Sequence, residues 1–284
     1  MLTPPPDLTL LSGDPESPLG NLVLRQEDPP RILKVYRRRR SKARDLLSLF
    51  SGALLERKRP IDAPSRQATE KACLELWTAE GYRVPRVLEG PEPDWVQAPH
   101  LWMEDTPGQR LLFALAEPDI PRARKEAWLH KVAQETLARQ RRALELSEPL
   151  LIPEHPTLKH VLVHRDDDLV TIDLENAFRP GYPLLYAIAY ELASLLRSIP
   201  AVPETAGLPE VFLDALDDHD LIRAACRDYS RLTIVRTARR WSDRRRRDRS
   251  KTAALDRLAA HVAASSGPST SADTEREHSP GRSS

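Results

Sequence analysis

The sequence predicts an α+β chain in two lobes, a small antiparallel sheet carrying one helix and then a mainly helical lobe with a short β-hairpin. Three observations predict it. Short β-prone runs parted by Gly, Pro and Asp clusters fill the first hundred or so residues, and long runs with helical apolar spacing fill the rest. Aromatic residues make up only 5% of the 284, so the core must be aliphatic. That length allows one large domain or two modest lobes with a real core. Apolar residues at 40% and charged ones at 30% fit a soluble globular chain, and 43 basic against 42 acidic residues give no support to a bulk nucleic-acid binder.

The strands come first. LTLLS (8–12), NLVLRQ (21–26) and RILKVY (31–36) read as two hairpins with turn-rich gaps. RRRRSKARDLLSLFSGALLERKRP, with Leu46, Leu47, Leu49 and Phe50 as an apolar patch, reads as an inserted helix or loop at about 37–64. SRQATEKACLELWTAEG reads as a helix: Pro64 and Ser65 start it, Cys73, Leu76 and Trp77 make an apolar stripe, and Gly81 stops it. VPRVLEG, DWVQA and HLWMED supply two or three more strands, which would close a first lobe at residue 105, and TPGQR (106–110) reads as a loop. RARKEAWLHKVAQETLARQRRALELSE is a long amphipathic helix with Trp128, Val132 and Leu137 facing inward. HVLV (160–163) and LVTIDL (169–174) form a hairpin turned at HRDDD. Helices at roughly 184–198, 208–216, 219–236 and 250–263 complete a second lobe over 106–263, and the Ser/Pro/Gly-rich 264–284 reads as disordered.

Location follows from what is not there. Cys73 and Cys226 make neither a disulfide framework nor a CxxC, so a reducing cytoplasm is expected. MLTPPPDLTLLSGDPESP has no basic segment followed by an apolar one, unlike a signal peptide. PLLYAIAYELASLL is interrupted by Glu191 and falls short of the about 20 apolar residues that a membrane span needs.

The order of elements resembles the protein-kinase-like superfamily. ILKVY resembles the third-strand V-A-I-K element, which implies that Lys34 contacts nucleotide phosphate. A buried ammonium there needs a carboxylate, and Glu70, about one turn before Cys73, is the expected partner with Glu75 as the fallback. LWMEDTPGQRL resembles the hinge stretch V-M-E-x-x-P-G, implying that backbone groups from Glu104 to Thr106 hydrogen-bond adenine. VTIDLENA resembles the magnesium-binding element, which makes Asp173 the metal ligand and ATP with Mg²⁺ the implied cofactors. Gly13 and Gly20 do not make G-x-G-x-x-G, so only a loose phosphate cover is expected.

An HRD at 164–166 invites the assignment of Asp166 as catalytic aspartate, and the spacing rejects it. In kinases that aspartate precedes a metal-binding Asn by five residues, whereas the fifth residue after Asp166 is Thr171, inside a strand. RDDD is turn chemistry. The register comes instead from KHVLV, which aligns with x-N-I-L-V: His160 takes the Asn place, 13 residues before Asp173, and His155 takes the catalytic place, 18 before it, beside Glu154. A histidine followed by an aliphatic run, with VTIDLENA after it, is similar to the bacterial lipopolysaccharide core kinase family, which phosphorylates Kdo or heptose sugars. That family shows H-R-D-x-x-x-x-H-F-L-L and then V-I-D-L-x-x-A. Here the second half matches, while Pro153, Glu154 and His155 stand where H, R and D belong.

The resemblance spans roughly residues 20 to 200 and leaves three readings. The first is a phosphotransferase moving the terminal phosphoryl of ATP to a hydroxyl of a lipid-linked sugar. The second is a pseudokinase that binds nucleotide weakly or not at all and acts through partners. The third is a basic membrane-associated adaptor. His155 can take up a proton near neutral pH, but an imidazolium accepts no hydrogen bond, and His160 is a poor partner for a hard cation. Zinc held by His155, His160 and His164 would need them on one face, which a loop and a strand do not provide. Glu191 either braces the catalytic loop or sits on a polar helix face. Arg37 to Arg40 and Arg244 to Arg247 are either solvated, the latter paired with Asp243 and Asp248, or drawn to anionic lipid at the inner membrane. Nucleic-acid binding by these runs lacks interleaved aromatics.

Overall fold

The structure, a computed structural model, describes residues 4–38, 62–231 and 251–265, and leaves aside the side chains of Asp166, Ser230 and Arg231. A five-stranded antiparallel sheet contains β1 (Leu8–Ser12), β2 (Leu22–Gln26), β3 (Arg31–Val35), β4 (Val87–Leu88) and β5 (His100–Glu104), in the order β1-β2-β3-β5-β4. Side chains alternate across it. Leu22, Leu24, Leu33 and Val35 pack with Val96 and Trp102 on one face. Ile32 and, just past β3, Tyr36 belong to the main core on the other, which places Lys34 between them on the same face.

Helix α1 (Ala63–Ala79) crosses that second face. Asp62 caps it by accepting from the Ser65 amide at 3.0 Å, with proline in the first turn, and Gly81 follows its end at φ +81°. Its buried stripe includes Glu70, Cys73, Leu74 and Trp77. Trp77 Nε1 donates to the Leu150 carbonyl at 2.9 Å and so fastens α1 to the helical lobe.

Two expected features of this region are corrected. DWVQA forms a turn, with the Val96 amide bonded to the Pro93 carbonyl at 3.2 Å. Prolines at 91, 93 and 99 withhold the amide donors a ladder would need, so the β-prone side chains lose. TPGQR is not all loop: Gln109–Arg110 pair with Val163 and Leu162 as β6. Gly108 makes that approach feasible, because a Cβ there would lie 2.7 Å from the Val163 carbonyl oxygen.

The helical lobe opens with α2 (Leu111–Ala116), which the sequence reading missed because six apolar residues in a row show no period. It continues with α3 (Arg122–Leu146), ended by Ser147 at φ +54°, and with the hairpin of β7 (Val161–Val163) and β8 (Leu169–Thr171). Both hairpin strands are shorter than expected. His160 ends a 3₁₀ turn, and Asp173 has φ +63°, which no strand accommodates. Helices α4 (Leu184–Ser198), α5 (Leu208–Asp214), α6 (His219–Arg231) and α7 (Lys251–Ser265) follow. Every residue of α4 from Tyr186 to Leu196 is buried, and α6 and α7 pack against it. The result is the two-lobed, kinase-like α+β architecture, with a cleft between sheet and helical lobe.

Residues 39–61, 232–250 and 266–284 carry most of the expected insert, the end of the 219–236 helix, the second arginine run and nearly all of the expected tail; all lie outside the described residues. The first arginine run is corrected at its start. Arg37 is buried, not solvated or free to meet lipid, because its guanidinium donates to the carbonyls of Gly20 at 2.8 Å, Ser17 at 2.5 Å and Asp14 at 2.9 Å. No helix among the described residues is long and apolar enough to cross a membrane.

Candidate functional site

The cleft is organised by Lys34. Strand alternation turns its side chain inward, where Nζ lies 2.7 Å from Glu70 Oε2, 2.7 Å from Asp173 Oδ1 and 3.5 Å from Glu175 Oε2. Tyr36, two residues on and facing the same way, donates its hydroxyl to Glu70 Oε2 at 2.7 Å. Burial alone would lower the Lys34 pKa, but the carboxylates of Glu70, Asp173 and Glu175 outweigh it and hold the ammonium well above its ordinary range. Burial raises the Glu70 carboxyl, against the pull of Lys34, and raises the Tyr36 phenol, helped by the Glu70 charge.

The Asp173 backbone is left-handed, and the second carboxylate oxygen, Oδ2, is 3.2 Å from His160 Nε2. Burial lowers the His160 pKa more than the Asp173 charge raises it, so the imidazole is neutral at neutral pH and serves as a neighbour of Asp173. Glu175 is buried and doubly held: Arg66 Nη1 is 3.1 Å away and Asn21 Nδ2 donates to it at 2.6 Å. Oxygens of Glu70, Asp173 and Glu175 all lie within 4.8 Å of one another, an oxygen-donor set of the kind hard cations prefer.

The hinge side is less charged. The cleft, about 490 Å³, is walled by Val23 and Ile32 above, Leu162 and Ile172 below, and Met103 to Gly108 at the back. The Glu104 carboxylate turns away to the Arg86 amide and Nε at 3.3 and 3.1 Å, and the Glu104 amide donates to the Arg86 carbonyl at 2.8 Å. Thr106 Oγ1 is buried and has no hydrogen-bond partner among the described residues. Asp105 accepts from Arg25 Nε at 2.7 Å, tying β2 to the hinge.

The loop before β7 is different. His155 is half-exposed, with Nε2 3.7 Å from Glu154 Oε1, and Glu154 is buried. His155 lines a smaller cavity of about 190 Å³ behind Asp173, beside Trp77, Tyr82 and Arg83, whereas His160 and Asp173 form the wall shared with the main cleft. The structure therefore brings Lys34, Glu70, Asp173 and His160 together with the hinge at Glu104 and Thr106, and sets His155 and Glu154 apart from the cleft. Glu191 is a buried brace and no polar face: it binds Arg139 Nη2 at 2.5 Å and Gln140 Nε2 at 2.8 Å, and Arg139 also donates to the Leu151 carbonyl at the start of this loop.

Asp166 stands in the 3₁₀ turn Arg165–Asp167, at the end of the hairpin away from Asp173. Its neighbour Asp167 is held by Arg124 at 2.7 Å and Trp128 at 3.0 Å, which is the structural use of the HRDDD stretch. Sequence reasoning missed Tyr36, Glu175, Arg66 and Asn21. Two had a signal: Glu175 is a second acid two residues after Asp173, and Arg66 lies one turn before Glu70 on the same helix face.

No protein-family model matches the chain. No curated protein matches it either. Among solved structures it is similar to the Mycobacterium tuberculosis PknI kinase domain. A singly substituted form of that domain is 18% identical over 78% of this chain and 87% of that one, with a TM-score of 0.38. The unsubstituted domain is 16% identical over 91% of this chain and 96% of that one, again at 0.38. At such values the architecture stands on this chain's own strand order and on the convergence at Lys34.

Proposed function

We propose that the chain binds magnesium–ATP in the cleft between Lys34 and Asp173 and works as a kinase-like nucleotide-binding protein in the cytoplasm, with phosphoryl transfer slow at best. The observation that carries this reading is the meeting of Lys34, Glu70 and Asp173 at 2.7 Å from opposite lobes. Adenine would lie against the hinge, where backbone groups between Glu104 and Thr106 other than the Glu104 amide, which the Arg86 carbonyl takes, would offer hydrogen bonds. Lys34, charged throughout the physiological range, would meet phosphate oxygens. Asp173 would hold the metal, with Glu175 within reach and His160 orienting its second oxygen. Magnesium supplies neutralisation of the polyphosphate charge when bound.

Where the resemblance places the catalytic aspartate, this chain has His155. His155 faces the rear cavity, and losing a general base typically costs about 10²–10⁴ in rate. A second reading is transfer to the hydroxyl of a lipid-linked sugar, as in the lipopolysaccharide core kinases that VTIDLENA resembles; the intact Lys34–Glu70–Asp173 arrangement favours it. Contact with anionic membrane would then fall to the arginines other than Arg37, which is buried.

Thermal unfolding with ATP, with and without magnesium, tests the first reading: protection that needs magnesium and vanishes in Lys34→Ala and Asp173→Ala is expected. Sugar-dependent ATP turnover lost in His155→Ala would select the second. No protection at millimolar ATP would reject both and leave the adaptor.

A further inference from the structure

Lys34 is shared between α1, through Glu70, and the segment carrying Asp173. A phosphate entering the cleft competes for the ammonium, and a cation competes for Asp173, so the tie between helix and segment that runs through Lys34 weakens when the site fills. A second tie does not pass through Lys34. The Arg66 guanidinium, fully buried one turn before Glu70, lies 3.1 Å from Glu175 Oε2, and Glu175 follows Asp173 by two residues. Asn21 joins both: it donates to Glu175 Oε2 at 2.6 Å and accepts from Arg66 at 2.7 Å. Asn21 leads into β2 directly after the loop whose carbonyls Arg37 gathers, and Gly13 at the other end of that loop has no room for a Cβ, which would lie 2.2 Å from the Asn21 carbonyl oxygen. One carboxylate thus fastens the helix that carries Glu70, the segment that carries Asp173 and the loop over the phosphate end.

We infer that Glu175 is a positioning residue, acting through Arg66 and Asn21. It keeps α1 and the covering loop in register with Asp173 while Lys34 is engaged by nucleotide. The role rests on the nucleotide reading above for its occasion, and on the bonds just described for its geometry.

Removing one member of a buried ion pair strands the other, so the test uses a double variant, Arg66→Met with Glu175→Gln, which discharges both sites and keeps an acceptor for Asn21. Amide hydrogen exchange over residues 63–79 is compared in the full chain and this variant, each with and without saturating magnesium–ADP. Without nucleotide the two are expected to exchange alike, since Lys34 still holds Glu70 and Asp173. With nucleotide, exchange in α1 is expected to rise about tenfold in the variant alone, with about tenfold weaker ADP binding. Equal protection and equal affinity in both would overturn the inference. Should the parent bind no nucleotide, the same comparison is made on Asp173→Ala, which removes the 2.7 Å Lys34 contact to the segment without a ligand and leaves the 3.5 Å one to Glu175. Faster exchange in the triple variant than in Asp173→Ala then supports the positioning role although the nucleotide reading has failed, and no difference overturns both.

Discussion

In the cleft, Lys34 is 5% exposed and sits among three carboxylates; in the smaller cavity behind Asp173, the His155 side chain is 48% exposed, with its Nε2 3.7 Å from Glu154. The contrast teaches how burial selects residues. A buried charge without partners is costly, so each group around Lys34 constrains the next and few substitutions can be borne there. A half-exposed loop residue is solvated whatever it is, so a histidine can stand in an aspartate's place without harm to the fold. The charged cluster at Lys34 is therefore the more constrained of the two regions, and the proposed nucleotide binding rests on it and not on His155.

The largest effect expected from breaking that contrast is at Lys34. Lys34→Ala should abolish magnesium–ATP protection and, by stranding Glu70 and Asp173, lower unfolding free energy by about 3–5 kcal/mol in urea denaturation; a loss well under 1 kcal/mol would mean the cluster is not held by charge. Glu191→Ala, which strands Arg139 beneath the loop, should cost about 3 kcal/mol by the same assay while leaving nucleotide affinity nearly intact. Asp173→Asn is expected to make ATP affinity indifferent to magnesium, a drop of about tenfold that chelation should reproduce in the parent chain.

A reference away from both regions is Asp218, which accepts from the Leu221 amide at 3.0 Å at the start of α6 and from Arg141 at 2.7 Å. Asp218→Ala should cost about 1 kcal/mol with no change in nucleotide binding. Burial pushes the Asp218 pKa up, but the Arg141 and Leu221 bonds win and hold it below the ordinary value. Its contribution is thus present above the usual carboxylate range and fades as pH falls through the lowered folded value, so the stability difference between parent and variant should shrink in acid. The smallest effect is expected at His155: His155→Ala should alter magnesium–ADP affinity less than about twofold, and a larger change would move the histidine into the nucleotide cleft.

The parts of the molecule governed by local pattern were legible in the sequence. The resemblance of ILKVY to the third-strand element singled out Lys34, the apolar spacing of α1 set Glu70 near Cys73, and thirteen residues of spacing separated His160 from Asp173 and exposed the HRD as turn chemistry. What failed depended on distant partners. Arg37 reads as one of four arginines in a run until the 14–20 carbonyls close around it, and Glu175 and Arg66 drew no notice because they meet only when the two lobes come together. DWVQA has β-prone side chains, and the flanking prolines decided against them through the backbone, while the apolar LLFALA run gave no period from which to read a helix.

Titration of magnesium–ATP into the full chain by calorimetry, beside Lys34→Met, tests the central claim most directly. Saturable binding that depends on magnesium in the parent and is lost in the variant is the predicted result; equal heats in both proteins, or none in either at millimolar nucleotide, would contradict it.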